Sequence, residues 1–279
     1  MKLNRLSRLL SFFLLVLISS QASAQVVGNY LGDETALYAE TKQVNQFFRR
    51  FNNEEGKDGV KYSKKDNRYR DLSTREKYLN ILFDGQNKNI SSSQKAQFIS
   101  KVNNGQSPIF LDFHGKDWFA EVQISVLFNG KAEEVTLFLK LEQENKGYKW
   151  VMTNAYSDVF AKLFSSDTTS QRLFLHPMSH ELDFMNLVKV FKSHEHVEDY
   201  TAKEYHPDYL SIFLYEFKNS KIKFVTVNDV KFHFFQVDGW YFELSEFNRP
   251  GLNKGWLISN LMELPAEHKD IFVKYIYRQ

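Results

Sequence analysis

A pair of alternating segments joined by an Asn-Gly turn limits the fold more than any other feature of the chain. Trp118–Phe128, WFAEVQISVLF, places alternate side chains on two faces of unequal polarity, which is typical of a half-buried strand. Asn129-Gly130 supplies the two positive-φ positions of a short hairpin, and VTLFLKLEQ returns. Further strands are predicted over Tyr148–Thr153 and, earlier, at 109–113. The sequence therefore predicts an antiparallel meander.

Helical spacing dominates the residues before this meander. Apolar residues recur on one helical face in three segments, and the middle one opens with the capping box Ser73-Thr74-Arg75-Glu76. The expected inward side chains are Leu37, Val44, Phe47, Phe48 and Phe51, then Tyr78, Leu79, Leu82 and Phe83, and finally Phe98 and Val102. Helices followed by a meander predict an α+β fold.

The second half of the chain repeats this order. Helices are predicted from His180 and after Pro207-Asp208. The predicted strands are Ile222–Val227, Val230–Val237 and, after the Asp238-Gly239 turn, Trp240–Phe247 and a strand around Trp256.

The two halves also align residue by residue. FNG matches VDG at the hairpins, and GYKWVMTNAYS matches NKGWLISNLME, so that Trp150 stands against Trp256 and Asn154 against Asn260. Self-similarity at a spacing of roughly one hundred residues predicts two related domains. We expect them at 25–157 and 178–279, joined by a polar linker at 158–177.

The first 24 residues have the three parts of a secretory signal peptide. Lys2, Arg5 and Arg8 precede an apolar run from Leu9 to Ile18, and Ala22-Ser23-Ala24 is a small-residue cleavage pattern. An apolar run of this length is too short to cross a bilayer, which takes roughly twenty residues. The sequence therefore predicts an exported protein, periplasmic or extracellular, with no transmembrane segment after cleavage.

Composition excludes several classes of function. There are no cysteines, so disulfides, thiolate metal sites, cysteine nucleophiles and a lipoprotein anchor are excluded. The formal net charge of +2 includes the three basic residues of the signal peptide, which leaves −1 for the mature chain. No basic stripe is present, which argues against a nucleic-acid partner. Aromatic residues make up 16% of the chain, and we expect most of them in the core.

Helices followed by a long meander that closes on a Trp-containing strand resemble the NTF2-like (cystatin-like) superfamily. The resemblance covers both halves and depends on element order and on the strands of Trp150 and Trp256. It implies two units, each a curved antiparallel meander wrapped as a cone around a helix, used as a small enzyme or as a binding module. The composition also resembles that of exported proteins of the Bacteroidota.

Histidines suggest one candidate site. His194, His196 and His206 lie close together in the sequence, and three imidazoles can hold a metal ion. The alternative is a polar, exposed segment that contains histidine by chance. No cofactor is predicted, because the chain has no phosphate-binding loop, dinucleotide motif or serine-hydrolase motif.

Acid–base chemistry needs a proton carrier in a partly dry pocket. The resemblance implies an Asp–His pair inside a cone. Alternation places His233 with Lys231, so we expect His233 on the solvent face. Asp112 is the best inward carboxylate, but it has no evident partner.

Aromatic side chains suggest the remaining candidate. Phe235, Trp240 and Tyr241 fall on both faces of adjacent strands, so one face is expected to expose an aromatic patch unless the other domain covers it. The leading hypothesis is a non-catalytic protein that binds a protein partner, a glycan or a small ligand. The alternatives are a small-pocket hydrolase or isomerase and a histidine metal site.

Overall fold

The structure combines helices with one antiparallel sheet. A computed structural model describes residues 43–145, 147–164, 191, 197–202 and 204–278. The helices of this part are α1 (Val44–Phe51), α2 (Leu72–Ile81), α3 (Ser92–Val102), α4 (Asp158–Leu163), α5 (Tyr209–Lys218) and α6 (Lys269–Ile276). Its strands are β1 (Trp118–Phe128), β2 (Lys131–Glu144), β3 (Gly147–Tyr156), β4 (Ile222–Phe234), β5 (Trp240–Phe247) and β6 (Gly255–Glu263). The α+β class expected from the sequence is confirmed.

The strands follow the order β3-β2-β1-β4-β5-β6. Each half of the chain supplies a three-stranded meander, and the first strands of the two meanders pair antiparallel along their length, from Trp118 opposite Phe234 to Phe128 opposite Ile222. The two matching segments identified in the sequence, with Trp150 and Trp256, are the outer strands β3 and β6. The described strands of the two halves therefore form one sheet, where the sequence predicted a separate cone for each.

Turn chemistry sets the hairpins. Asn129 and Gly130 have φ values of 51° and 81°, which confirms the positive-φ turn predicted between β1 and β2. Asn145, before β3, and Gly239, between β4 and β5, also lie in the left-handed region. These turns set the register where the β1–β2, β2–β3 and β4–β5 hairpins begin.

Helices of the first half cover strands of the second half. Phe51 of α1 stacks on Phe242 of β5 with ring centroids 6.2 Å apart, and Phe98 of α3 meets Trp240 and Phe242 edge-on. The loop after α2 is tied to β6, because Ile258 donates its amide to the Leu82 carbonyl over 2.8 Å. Phe51, Phe98, Trp240 and Phe242 belong to the largest hydrophobic cluster, which joins helices near the start of the described chain to strands near its end.

Two smaller clusters complete the core. On the same face of the sheet, Phe160 of α4 and Phe213 of α5 pack on Ile124 and Val126 of β1. On the opposite face, α6 covers the sheet with apolar side chains. That cluster consists of Phe119, Phe138, Phe235, Tyr241 and Leu264, with Phe272, Val273, Ile276 and Tyr277 packed against it.

A buried arginine fastens the three N-terminal helices together. Arg75 of α2 is fully buried, and its guanidinium donates to the carbonyls of Phe51 and Val102, each over 2.8 Å, and to the carbonyl of Ile109. Burial lowers the pKa of Arg75 to about 10. The three acceptors belong to different segments, so this one side chain fixes where α1, α3 and the segment after α3 meet.

Three local predictions were wrong. Asp71, not Ser73, caps α2, since its carboxylate accepts from the Thr74 amide over 2.8 Å. The expected strand at 109–113 is not a strand, because the side chain of Asn52 both donates to the carbonyl of Leu111 and accepts from its amide. The two strands expected between 222 and 237 form the single strand β4, which contains two bulges.

Candidate functional site

Three adjacent strands bring a carboxylate, an imidazole and a phenol together on the α6 side of the sheet. Glu121 lies on β1, His233 on β4 and Tyr241 on β5. Phe119 is opposite His233 and His233 is opposite Glu243, so Glu121 and Tyr241 are diagonal neighbours of the imidazole. Cross-strand diagonal neighbours lie within reach of long side chains.

Hydrogen bonds join these three side chains into a chain. His233 Nε2 lies 2.9 Å from Glu121 Oε2, and His233 Nδ1 lies 2.8 Å from the Tyr241 hydroxyl. With Glu121 ionised, Nε2 donates its proton to the carboxylate, and in the neutral form of the ring Nδ1 accepts from the hydroxyl. The imidazole and the phenol are each 2% exposed, whereas the Glu121 side chain retains 22% exposure. In this series of hydrogen-bonded side chains, Glu121 is therefore the end that contacts solvent.

The surroundings fix the charge states at both ends. Burial alone would raise the pKa of Glu121, but the hydrogen bond and charge of His233, with Lys231 and Arg278, bring that pKa below its ordinary value. Burial, assisted by Glu243 and Glu121, raises the pKa of Tyr241 far above its ordinary value. At neutral pH Glu121 is therefore an anion, and Tyr241 keeps its proton.

An open pocket of about 460 Å³ lies over the hydrogen-bonded side chains of Glu121, His233 and Tyr241. Glu121, His233, Tyr241, Glu243 and Asn260 form its sheet side, and Phe272, Tyr275, Ile276 and Arg278 form the wall next to α6 and beyond. The Ser259 hydroxyl donates to Glu243 over 3.0 Å, and Lys231 lies 4.0 Å from the same carboxylate. Tyr275 is 75% exposed, and its ring stacks on that of Phe272 with centroids 6.1 Å apart, so it presents an exposed aromatic face at the rim. The pocket thus combines carboxylate acceptors, an amide and aromatic surface.

The order carboxylate–imidazole–hydroxyl is that of a nucleophilic triad, but the environment does not suit one. A triad nucleophile must reach substrate and lose its proton to the imidazole. Tyr241 is buried, and its raised pKa opposes ionisation. This arrangement holds Glu121 in place at the wall of the pocket.

Two predictions about orientation were wrong. His233 was expected on the solvent side because Lys231 shares its face, yet His233 is 2% exposed beside the rings of Phe119 and Tyr241, while the Lys231 side chain stays 37% exposed. Asp112 was expected to point inward, but it is exposed. Its carboxylate accepts from the His114 amide over 3.0 Å within a turn, at the margin of a separate cleft.

The sequence left two alternatives for the aromatic strands, an exposed patch or cover on both faces, and the structure shows cover on both faces. Phe235, Trp240 and Tyr241 are 6%, 8% and 2% exposed. Helix α6 covers Phe235 and Tyr241, and the N-terminal helices cover Trp240, so both faces of these strands are occupied. Of the three, Tyr241 lines the candidate pocket.

The histidine hypothesis falls largely outside the described residues. His194 and His196 are not among them, and His206 is exposed before α5. In the described part of the chain, no three His, Asp or Glu side chains are grouped so that they could hold a metal ion.

Sequence reasoning missed Glu121 and placed His233 on the wrong side. The sequence gives one signal for these two residues. Glu121 shares a strand face with Phe119, and His233 shares a strand face with Phe235, so each polar side chain lies on a face that also carries an aromatic residue. Only the pairing of β1 with β4 brings the two together.

Comparisons with protein-family models, curated proteins and solved structures yield no match. Within the described ranges, no helix has the length and apolar character needed to span a bilayer.

Proposed function

We propose that the protein is an exported, non-catalytic binding protein that holds a small, hydroxyl-rich ligand such as a glycan unit in the pocket beside α6. The observation that carries this proposal is the hydrogen-bonded chain Glu121–His233–Tyr241, in which the hydroxyl end is buried and the carboxylate end is partly exposed at the pocket. The imidazole holds the carboxylate in place as a hydrogen-bond acceptor, and the buried phenol, whose pKa is raised, is not available as a nucleophile.

The chemistry of the pocket favours a ligand of balanced charge. Glu121 and Glu243 are offset by Arg278 at the rim and by Lys231 nearby. A carboxylate accepts strongly from hydroxyl donors, the Asn260 amide both donates and accepts, and Tyr275 offers a flat apolar surface. Sugars combine polar edges with apolar faces, which matches this arrangement.

The proposal is tested with a printed glycan array, followed by calorimetric titration of any glycan that binds. Glu121→Gln keeps the shape of the side chain but removes the charged acceptor. We expect at least a ~10-fold loss of affinity, the loss typical of a charge-assisted hydrogen bond. Glu246→Gln, on the exposed opposite side of β5, is the matched control and is expected to bind as the parent does. Binding that Glu121→Gln leaves unchanged would refute the assignment of the pocket.

The Glu121–His233 pair supports a second candidate, a small-pocket hydrolase or isomerase. In that case a ligand would have to displace Tyr241 from His233 Nδ1, which would free the ring as a base. Hydrolysis of p-nitrophenyl acetate, compared between the parent protein and His233→Asn, tests this candidate. A turnover that His233→Asn abolishes in a folded protein favours the enzyme, and equal background rates favour binding alone.

Export and the two-unit origin are parts of the same proposal. The N-terminal sequence pattern supports export, and the mirror order of the strands around β1 and β4 supports descent from two NTF2-like units. N-terminal sequencing of protein recovered from a bacterial periplasm tests the first part. A mature chain that begins at Gln25 is the expected result.

A further inference from the structure

One segment of β4 is exposed on both faces of the sheet. Every residue from Lys223 to Asp229 is exposed, and three of them are large and apolar. Phe224, Val225 and Val227 are 55%, 53% and 48% exposed. Apolar side chains grouped on the surface in this way usually mark an interaction surface.

The same segment has a free edge. β1 pairs with it on one side, but β5 pairs with β4 only over Lys231–Phe234. In the part of the chain that the structure describes, no strand pairs with the other edge of Lys223–Asp229. Unpaired amides and carbonyls in an extended strand are a template for another strand, and the segment contains no proline to prevent pairing.

The charges of this segment are self-complementary. In an antiparallel pairing about a twofold axis through Thr226, Lys223 of one copy meets Asp229 of the other, at both ends. In the pairing of β4 with β1, the partners of Lys223, Thr226 and Asp229 are Leu127, Ser125 and Gln123. These partners are every second residue of β1 and so lie on one face of the sheet. The three β4 residues therefore lie on that face as well. The two bulges of β4 fall on either side of Thr226 and produce this spacing of three residues.

The opposite face carries Phe224 and Val227, whose β1 partners are Val126 and Ile124. A twofold axis through Thr226 brings these apolar side chains of the two copies close to one another. An isologous contact of this kind also occupies both free edges at once and closes, so it does not propagate into fibres. A second copy therefore satisfies the edge, the charges and the apolar surface together.

We propose that the protein forms a homodimer in which two copies of Lys223–Asp229 pair antiparallel about Thr226, joining their sheets into one continuous sheet. The pocket beside α6 is outside this interface, so the dimer leaves ligand binding unobstructed.

Charge reversal tests the register. In sedimentation equilibrium over about 1–100 μM protein, K223D and D229K should each weaken the dimer by ~10-fold, because two attractive pairs become repulsive ones. The double variant K223D/D229K should restore dimerisation, since it exchanges the partners. A parent protein that is monomeric throughout this range, or a double variant as weak as the single ones, would overturn the proposal.

A cysteine probe tests the axis directly and does not depend on the charge variants. The chain has no cysteine, so T226C introduces a single thiol with no background. Directly opposed strand residues lie within the Cα separation that a disulfide spans. Mild oxidation should convert T226C to a covalent dimer, whereas S73C, at an exposed position of α2, should stay monomeric. Equal and slow cross-linking of both variants, with unchanged circular dichroism, would refute the pairing.

Discussion

Replacing Arg75 with methionine tests how much one buried side chain contributes to the N-terminal helices. The variant keeps most of the apolar stem but removes the donors to the carbonyls of Phe51, Val102 and Ile109. An unsatisfied buried carbonyl costs about 1–3 kcal/mol, and relief from burying a charge offsets part of the sum. We expect Arg75→Met to lower the free energy of unfolding by about 3–5 kcal/mol.

The measurement is urea unfolding followed by tryptophan fluorescence and by circular dichroism. For a chain of this size, the expected loss corresponds to a fall of roughly 6–20 °C in Tm. Arg75→Lys keeps the charge but reaches fewer acceptors, so its midpoint should fall between those of Arg75→Met and the parent.

The matched control is Arg68→Met, which removes an exposed arginine whose ion pair with Asp66 spans 2.7 Å at the surface. Exposed pairs contribute little, so its urea midpoint should be close to that of the parent. If Arg75→Met and Arg68→Met unfold at the same urea concentration with the same slope, the role assigned to the buried guanidinium is wrong.

Three further predictions concern the pocket and the core. The folded-state pKa of Glu121 lies below its ordinary 4.5, so the parent should be more stable than Glu121→Gln by its full margin above pH 4.5, and this margin should shrink as the pH falls through the lower value. Urea titrations of both proteins at neutral and acid pH measure the difference in their free energies of unfolding. A difference that grows in acid would contradict this prediction. Near pH 10 the folded Tyr241→Phe variant should have the same tyrosinate absorbance as the folded parent, because the buried phenol of Tyr241 does not ionise there. In urea at the same pH, the variant should have one tyrosinate fewer than the parent. Phe98→Ala should cost about 3–5 kcal/mol of stability because it opens a cavity between α3 and β5, while Tyr275→Ala at an exposed site should leave the thermal midpoint nearly unchanged.

Local chemistry made the hairpins predictable. Asn129-Gly130 specifies its own backbone geometry, and alternation set the ends of β1 at Trp118 and Phe128 correctly. Asp208 begins α5 where the sequence predicted it, because its carboxylate accepts from the amides of Leu210 and Ser211. In each of these cases the determining atoms lie within a few residues of one another.

The candidate site was not predictable in the same way. Whether His233 faces water depends on α6, which begins at Lys269, and on the partner strand that carries Glu121. Arg75 was expected within a capping box, and nothing near it in the sequence indicates that its three acceptors belong to other segments. Long-range pairing determines these environments, and a single sequence gives no measure of it.

The packing of first-half helices on second-half strands has a consequence for how the chain folds. Phe51 and Phe242, which stack in the largest cluster, are about two hundred residues apart in the sequence. Contacts of such high order form late, because the intervening chain must first be confined. The α1–α3 segment can therefore complete its core only after β5 and β6 have been made. For a chain proposed to be exported, this delay favours translocation, because the N-terminal helices lack their partner strands while that segment crosses the membrane.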